Sequence, residues 1–209
     1  MLIKKFDSKF KKNLATTILE LEKTSNIELV FLVKEVSGDY TYAHLIIASI
    51  SAFIAFSLFI FLPFLFGDYL IYAGTILTFF IGLALSLLID SLGKIFIKKE
   101  KMKRNVEIMA RAYFQKGTIY DTRRNTGILI YCSLFEKKIS VIADKGIKNF
   151  IPLEEFNLLE TNLNKVFNQA DLPKNIIENL NNSKSLFAKY IPPVEDDINE
   201  LSDDMEITI

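Results

Sequence analysis

The chain has 209 residues, half of them hydrophobic, and its 25 basic and 25 acidic side chains give a formal net charge of zero. Apart from its apolar block, that length leaves room for one small domain, which excludes a large enzyme with separate substrate and cofactor domains. The single cysteine, Cys132, excludes an intrachain disulfide. The neutral net charge says little about which partners the chain binds. We predict that it does not bind nucleic acids.

The first segment of the chain predicts a helix followed by a strand. Phe6, Phe10 and Leu14 recur at helical spacing within residues 3–23, with lysines on the opposite face. Residues 27–35 follow, and they are apolar on both alternating faces, which is typical of a strand inside a sheet. Because no apolar run follows the N-terminal lysines directly, we expect no cleavable signal peptide.

Two adjacent apolar segments, residues 43–66 and 69–89, contain no Asp, Glu, Lys or Arg. Only Gly67 and Asp68 separate them. Each is long enough to cross about 30 Å of hydrocarbon as a helix. Neither has the polar stripe of a soluble helix, so together they predict a transmembrane hairpin. Gly67 and Asp68 predict a very tight turn between them. The only histidine, His44, lies at the edge of the first span and is interpreted as an interfacial residue rather than a proton relay.

Basic residues predict the orientation of this hairpin. The turn has none, whereas lysines are frequent near the N-terminus and a cluster follows the second span. That cluster is also the predicted membrane-surface contact for anionic headgroups, and it comprises Lys94, Lys98, Lys99, Lys101, Lys103 and Arg104. Because positive charge stays on the cytoplasmic side, we expect an inner (plasma) membrane protein with two spans, both termini and the soluble domain lying in the cytoplasm.

The residues after the hairpin predict a helix, two strands and two further helices. The apolar face of Val106, Ala110 and Phe114 continues the helical pattern after the second span. Residues 128–134 and 139–143 predict an antiparallel strand pair. Pro152 and Asp171 mark the starts of two helices that reach about residues 170 and 189.

These elements predict a small α/β (α+β) domain, with a mixed sheet of about three to four strands flanked by helices and interrupted by a two-helix transmembrane hairpin. A lone strand before the hairpin is not stable without the strand pair that follows, so the hairpin is interpreted as an insertion. The predicted boundaries are residues 1–38 and 93–192 for the domain, 39–92 for the hairpin, and 193–209 for an acidic, disordered tail.

Polar residues at the strand ends are the candidate site. Asp121, Arg123 and Arg124 precede one strand of the antiparallel pair, and Asp144 ends the other, which places them at the same end of the sheet. Asp121 and Asp144 are candidate ligands for a hard cation, and the two arginines are candidates for binding an anion. The simpler interpretation, which we favour, is that the acidic residues form turns and the arginines are solvated.

Four motifs follow one another along the flanks of the hairpin: a strand after Asn26, a helix ending in Tyr113–Phe114, an arginine before Thr126–Gly127 and a strand, and Asp144 followed by Gly146. Their order resembles the TPM domain family, the fold of thylakoid lumen and photosystem II repair proteins and of many bacterial membrane proteins. The resemblance covers most of both flanks. It implies Ca²⁺ or another divalent cation as the candidate cofactor, and phosphatase activity in some members. It also raises Asp144 as a candidate catalytic residue.

Two functions are therefore predicted from different classes. The preferred one is a membrane-anchored binding or scaffold module that assists assembly, repair or regulation of other membrane proteins. Its partners would be the lipid bilayer, other membrane proteins and, as an open alternative, further copies of the chain. The second is a metal-dependent phosphatase-like hydrolase, although Cys132 is interpreted as a core residue and no histidine lies in the soluble part.

Overall fold

A computed structural model of the chain describes residues 5–63, 66–194 and 206–208. The chain forms two compact units, one made of Met1–Ser37 with Lys103–Ile209 and the other of Gly38–Met102. The elements in chain order are α1 (Ser8–Thr24), β1 (Glu28–Lys34), α2 (Thr41–Phe61), α3 (Asp68–Leu88), α4 (Asp90–Lys94), α5 (Lys99–Lys116), β2 (Gly127–Ser133), β3 (Lys138–Ala143), α6 (Lys145–Phe150), α7 (Leu153–Lys165), α8 (Leu172–Tyr190) and β4 (Glu206–Thr208).

The strands form a mixed sheet in the order β3-β2-β1-β4. β1 runs parallel to β2, with Leu29 opposite Ile128, and β2 runs antiparallel to β3. The helices between β1 and β2 in the sequence provide the long connection that parallel pairing requires. The predicted mixed sheet flanked by helices is confirmed.

Both faces of the sheet are buried, which explains why β1 and β2 are apolar at every position except the first or last. One face packs against α1, α7 and α8 through side chains such as Phe31, Leu14 and Phe187. The other face packs against α5 through Leu129 and Val106. Burying a side chain such as Leu14 completely stabilises the fold by about 1.5–3 kcal/mol.

Three predicted helix boundaries differ from the structure, one of them the end of α7, which lies at Lys165 rather than near residue 170. The first helix begins at Ser8 rather than residue 3, because the Asp7 side chain accepts a hydrogen bond from the Phe10 N–H at 2.8 Å and caps the helix there. The helical pattern after the second span is broken, since α4 ends at Lys94 and α5 starts at Lys99. The tail prediction falls mostly on residues 195–205 and 209, which are outside the described residues; Glu206–Thr208 lies as β4 beside β1.

The second unit is built on α2 and α3, which are both long and apolar enough to cross a membrane. Most of their large side chains face outwards; Phe53, for example, is 71% exposed. The helices pack closely at Gly82, where a Cβ would lie 2.5 Å from the Ser51 Oγ. Such small-residue contacts are typical of helix pairs in membranes, because hydrocarbon gives no hydrophobic drive to association.

The connection between these helices is longer than the predicted tight turn. α2 ends at Phe61, two residues before Pro63, and α3 begins after Gly67. Proline lacks the N–H that a continuing helix needs and disfavours helical geometry in the residue before it, which explains the early end.

Candidate functional site

The two segments predicted to form a site lie next to each other at one end of the sheet. A Cβ on Gly146 would lie 2.5 Å from the carbonyl oxygens of both Arg124 and Asn125, so the two backbones are in direct contact there. The Asp144 N–H also donates to the Gly127 carbonyl at 3.0 Å. The structure therefore brings the loop before β2 beside the residues that follow β3.

The loop before β2 is held by its own backbone and hydroxyl groups. The Thr126 N–H donates to the Thr122 Oγ1 at 2.9 Å, and the Asn125 N–H donates to the Thr122 carbonyl at 3.0 Å. Asn125 has a φ of 56°, a left-handed conformation that asparagine tolerates well in turns. The predicted ligand Asp121 and the arginines Arg123 and Arg124 are exposed around this turn.

Asp144 caps the short helix α6. Its Oδ1 accepts a hydrogen bond from the Lys145 N–H at 2.6 Å, and its carbonyl accepts from the Lys148 N–H at 3.2 Å. Its Oδ2 is buried and has no hydrogen-bond partner among the described residues. The sequence interpretation of residues 144–146 as a turn missed this helix.

The donor set around Asp144 does not complete a calcium site. Calcium takes six to eight oxygen ligands, commonly including several carboxylates. Asp144 offers one unpartnered oxygen, and the described residues contain no group of three or more His, Cys, Asp or Glu side chains placed to hold a metal. Asp121 and Asp144 therefore remain candidates without a further acidic ligand beside them.

The capping role of Asp144 predicts different effects for two substitutions. Asp144→Ala should lower the free energy of unfolding by about 1 kcal/mol, because the cap of α6 is lost. Asp144→Asn should retain most of the stability, since asparagine caps helices equally well. Thermal unfolding of the purified variants measures this; equal destabilisation by both would show that the charge, not the cap, matters.

A polar cluster that the sequence analysis missed lies at the opposite end of β2. The Ser37 Oγ donates to the Ser133 Oγ at 2.7 Å and lies 2.9 Å from the Tyr131 hydroxyl. The Ser133 Oγ in turn donates to the Glu136 carboxylate, which also accepts from the Ser37 N–H at 2.9 Å. The alternation of Tyr131 and Ser133 on one face of a strand was the signal available in the sequence.

This cluster is a directed chain of hydrogen bonds. A hydroxyl has one proton, and those of Ser133 and Ser37 are already donated towards Glu136. Tyr131 must therefore donate to Ser37. The cluster fixes Ser37, which follows β1 and precedes the hairpin, against the end of β2.

Tyr131 predicts a specific loss of stability in alkali. Burial raises the pKa of Tyr131 from 10.0 to about 12. Its stabilising contribution is thus complete below pH 10 and is lost as the pH rises towards 12, because the unfolded chain releases the proton first. At pH 11 we expect about 1.4 kcal/mol lower free energy of unfolding from this group. The measurement is the difference between wild type and Tyr131→Phe across pH 9–11.5, in which the titration of lysines cancels; parallel curves would contradict it.

Cys132 is not placed for nucleophilic chemistry. Its side chain is fully buried within β2, and burial raises the pKa of the Cys132 thiol. A thiol in such surroundings is a small core residue and does not form the reactive thiolate.

The predicted membrane-surface residues lie in and after α4. Lys94 ends α4, Lys98 lies in the connection, and the others are on α5. The Lys101 Nζ lies 4.0 Å from the centre of the Tyr42 ring, a cation–π contact at the base of α2. Lys103 pairs with Glu107 one turn along α5 at 3.8 Å.

His44 lies within the hairpin rather than in any soluble site. Its Nδ1 is 2.7 Å from the Oγ of Ser86, which is buried on α3. A Cβ on Gly93 would lie 3.2 Å from the His44 ring. The histidine is therefore held between α3 and α4 and links the two ends of the hairpin.

Comparison with known proteins gives a fold and no function. No protein-family model matches the chain, and no curated protein matches its sequence. The NMR structure of the BA42 protein from the psychrophilic bacterium Bizionia argentinensis is similar, with a TM-score of 0.60 over 97% of this chain and 94% of that chain. The two sequences are 15% identical, a level at which the likeness shows the fold alone.

Proposed function

We propose that the chain is a membrane-anchored binding module that holds its α/β unit at the inner face of the plasma membrane and assists the assembly, repair or regulation of other membrane proteins. One observation carries the proposal: α2 and α3 expose apolar side chains along lengths that fit a bilayer, yet they lie in the sequence between two paired strands, β1 and β2. The anchor is thus built into the domain instead of being joined to it by a terminal linker.

The chemistry of the α/β unit favours binding over catalysis. The sole histidine is engaged within the hairpin, and the sole cysteine is buried and protonated at neutral pH. These facts leave no Ser–His or Cys–His pair for acyl or phosphoryl transfer in this unit. The order of motifs that resembles TPM domains supports a further proposal, that the unit is a TPM domain.

The proposed orientation rests on charge. Lysines and Arg104 follow α3, and no basic residue lies between residues 45 and 93, which include the connection between the spans. We therefore place both termini in the cytoplasm. A periplasm-active reporter fused after Ile209 should be inactive, and one inserted after Gly67 should be active; the reverse pattern would overturn the orientation.

The binding function is tested by crosslinking the full chain in native membranes. We expect adducts with defined integral membrane proteins that are not formed by the isolated hairpin, residues 38–102. Adducts only between copies of the chain, or only those that the hairpin also forms, would contradict a role of the α/β unit in binding.

One observation favours the alternative, a metal-dependent phosphatase-like hydrolase. The buried Oδ2 of Asp144 has no partner among the described residues, and the loop that bears Asp121 lies beside it. The incomplete set of ligands places this function second. In purified protein, a calcium-dependent rise in melting temperature and hydrolysis of a generic phosphate ester, both lost in Asp144→Asn, would establish it. Their absence in the wild type would remove it.

A further inference from the structure

The outer edge of β3 is closed at one residue and open at another. β3 is the last strand of the sheet on its side. The side chain of Asn164 on α7 accepts from the Ile139 N–H and donates to the Ile139 carbonyl, both at 2.8 Å. Asn164 thus gives both backbone groups of Ile139 the hydrogen bonds that a neighbouring strand would give them.

In an antiparallel edge strand, successive residues point their backbone N–H and carbonyl alternately towards the neighbouring strand and away from it. Since Ile139 directs its N–H and carbonyl away from β2, Val141 two residues on must do the same. Within the part of the chain that the structure describes, these Val141 groups have no hydrogen-bond partner. One N–H and one carbonyl are therefore unpaired at this edge, on a residue that is 4% exposed.

A groove of about 380 Å³ runs beside this open edge. α5 forms one wall and α7 with the residues before it forms the other, and the backbone of Val141 lies between them. Its apolar lining includes Ile142, Phe156 and Leu153, and Leu153 is 74% exposed. Phe150, which precedes the lining residue Ile151 in the sequence, is another exposed apolar side chain, at 65%. Exposed apolar side chains that line a groove supply the apolar part of a contact surface.

The charges of the groove favour an acidic occupant. Its two carboxylates are already paired: Glu107 with Lys103 at 3.8 Å, and Glu160 with Lys138 at 3.1 Å. Its two cations are Arg111 and Lys148, and neither side chain forms an ion pair or hydrogen bond with any residue described in the structure. An incoming carboxylate would therefore meet unpaired positive charge on both sides.

The size and charge of the groove also select among occupants. Between the residue closed by Asn164 and the end of β3 there is space for roughly 10 Å of chain, or about three extended residues. A second copy paired edge to edge through β3 would bring Arg111 and Lys148 of each copy towards those of the other, which repels. A short acidic segment of a different protein fits this length of strand edge and avoids the repulsion between like charges.

We propose that this groove binds an extended segment of a partner protein, which pairs with the Val141 backbone and presents a carboxylate between Arg111 and Lys148. The apolar side chains of the segment pack on Ile142 and Leu153. The inference rests on the proposed binding function, for which it names the surface and the chemistry of the partner. Strand addition of this kind obtains affinity from the backbone and specificity from side chains.

The test measures fluorescence anisotropy of labelled peptides with the full chain in nanodiscs. The probes are acetyl-Val-Glu-Val-Glu-Val, its lysine counterpart Val-Lys-Val-Lys-Val, and the acidic peptide with its central backbone nitrogen methylated. We expect the acidic peptide to bind at least tenfold more tightly than either other probe. The double variant Arg111→Ala/Lys148→Ala should lose this preference, whereas Lys11→Ala/Lys12→Ala, which removes two exposed lysines of α1, should keep it.

The outcomes separate this inference from the proposed function. Equal binding of the acidic and basic peptides, no binding of either, or a preference unchanged in the Arg111/Lys148 variant would overturn the groove as the site. If that variant also retains its crosslinks to membrane proteins, the binding function stands and uses another surface. Val141→Pro removes the outward N–H at an edge position where proline is tolerated. This variant should bind the acidic peptide more weakly while its circular dichroism spectrum is unchanged.

Discussion

Replacing Gly127 with alanine should strongly destabilise the α/β unit. A Cβ at this position would lie 1.9 Å from the carbonyl oxygen of Ile119, which is backbone and has little freedom to move. Gly127 is also the first residue of β2, and its carbonyl accepts from the Asp144 N–H at 3.0 Å. Separating these segments would disturb the start of the strand that holds the sheet together.

We expect Gly127→Ala to lower the free energy of unfolding by about 3 kcal/mol, at the upper end for overpacking. For a unit of this size that corresponds to a fall of roughly 10 °C in melting temperature. Circular dichroism of the full chain in nanodiscs measures it. Gly67→Ala is the matched control, since a Cβ there meets nothing within 4 Å. Similar melting temperatures for the two variants would contradict the close approach at Gly127.

Asn164→Ala should produce the second large loss of stability. The substitution removes both hydrogen bonds that close the edge of β3 at Ile139, and a third to the Glu160 carbonyl at 2.8 Å. Each backbone group left without a partner costs about 1–3 kcal/mol when water cannot reach it freely. Because Asn164 is half-buried and its removal admits some water, we expect a total of about 2 to 3 kcal/mol.

Two further variants test whether this effect arises at the strand edge. Asn164→Asp keeps an acceptor for the Ile139 N–H but places a carboxylate against the Ile139 carbonyl, so it should be at least as damaging. Asn162→Ala on the same helix loses only an exposed contact with Lys165 and should change stability by less than about 0.5 kcal/mol. Comparable melting of Asn162→Ala and Asn164→Ala would refute the edge-closing role.

The parts of the fold that could be predicted are those that repeat along the sequence. The apolar runs of α2 and α3 are long enough to cross a membrane, and the apolar patterns of β1, β2 and β3 identified three strands to within one or two residues. Pro152 and Asp171 correctly marked the starts of α7 and α8. These signals are local, so tertiary contacts are not needed to interpret them.

The parts that could not be predicted depend on contacts between distant residues. The parallel pairing of β1 with β2 requires knowledge of what lies across the hairpin. Helix α6 was missed because Gly146 is a poor helix former, yet its lack of a Cβ is what lets it touch Arg124 and Asn125. The contact of Gly146 with Arg124 and Asn125 brings the two candidate segments together, but the edge-closing role of Asn164 has no signature in sequence.

The sheet of this protein also has a consequence for how the chain is made. Ser37 and Glu136, which meet at one end of β1 and β2, are 99 residues apart, and both α2 and α3 lie between them. At about 5–20 residues per second, a ribosome needs roughly 5–20 s after β1 emerges to deliver its partner. During that interval the apolar strand β1 has no β2 to pair with, so if α2 and α3 enter a membrane as proposed, they do so before the sheet is complete.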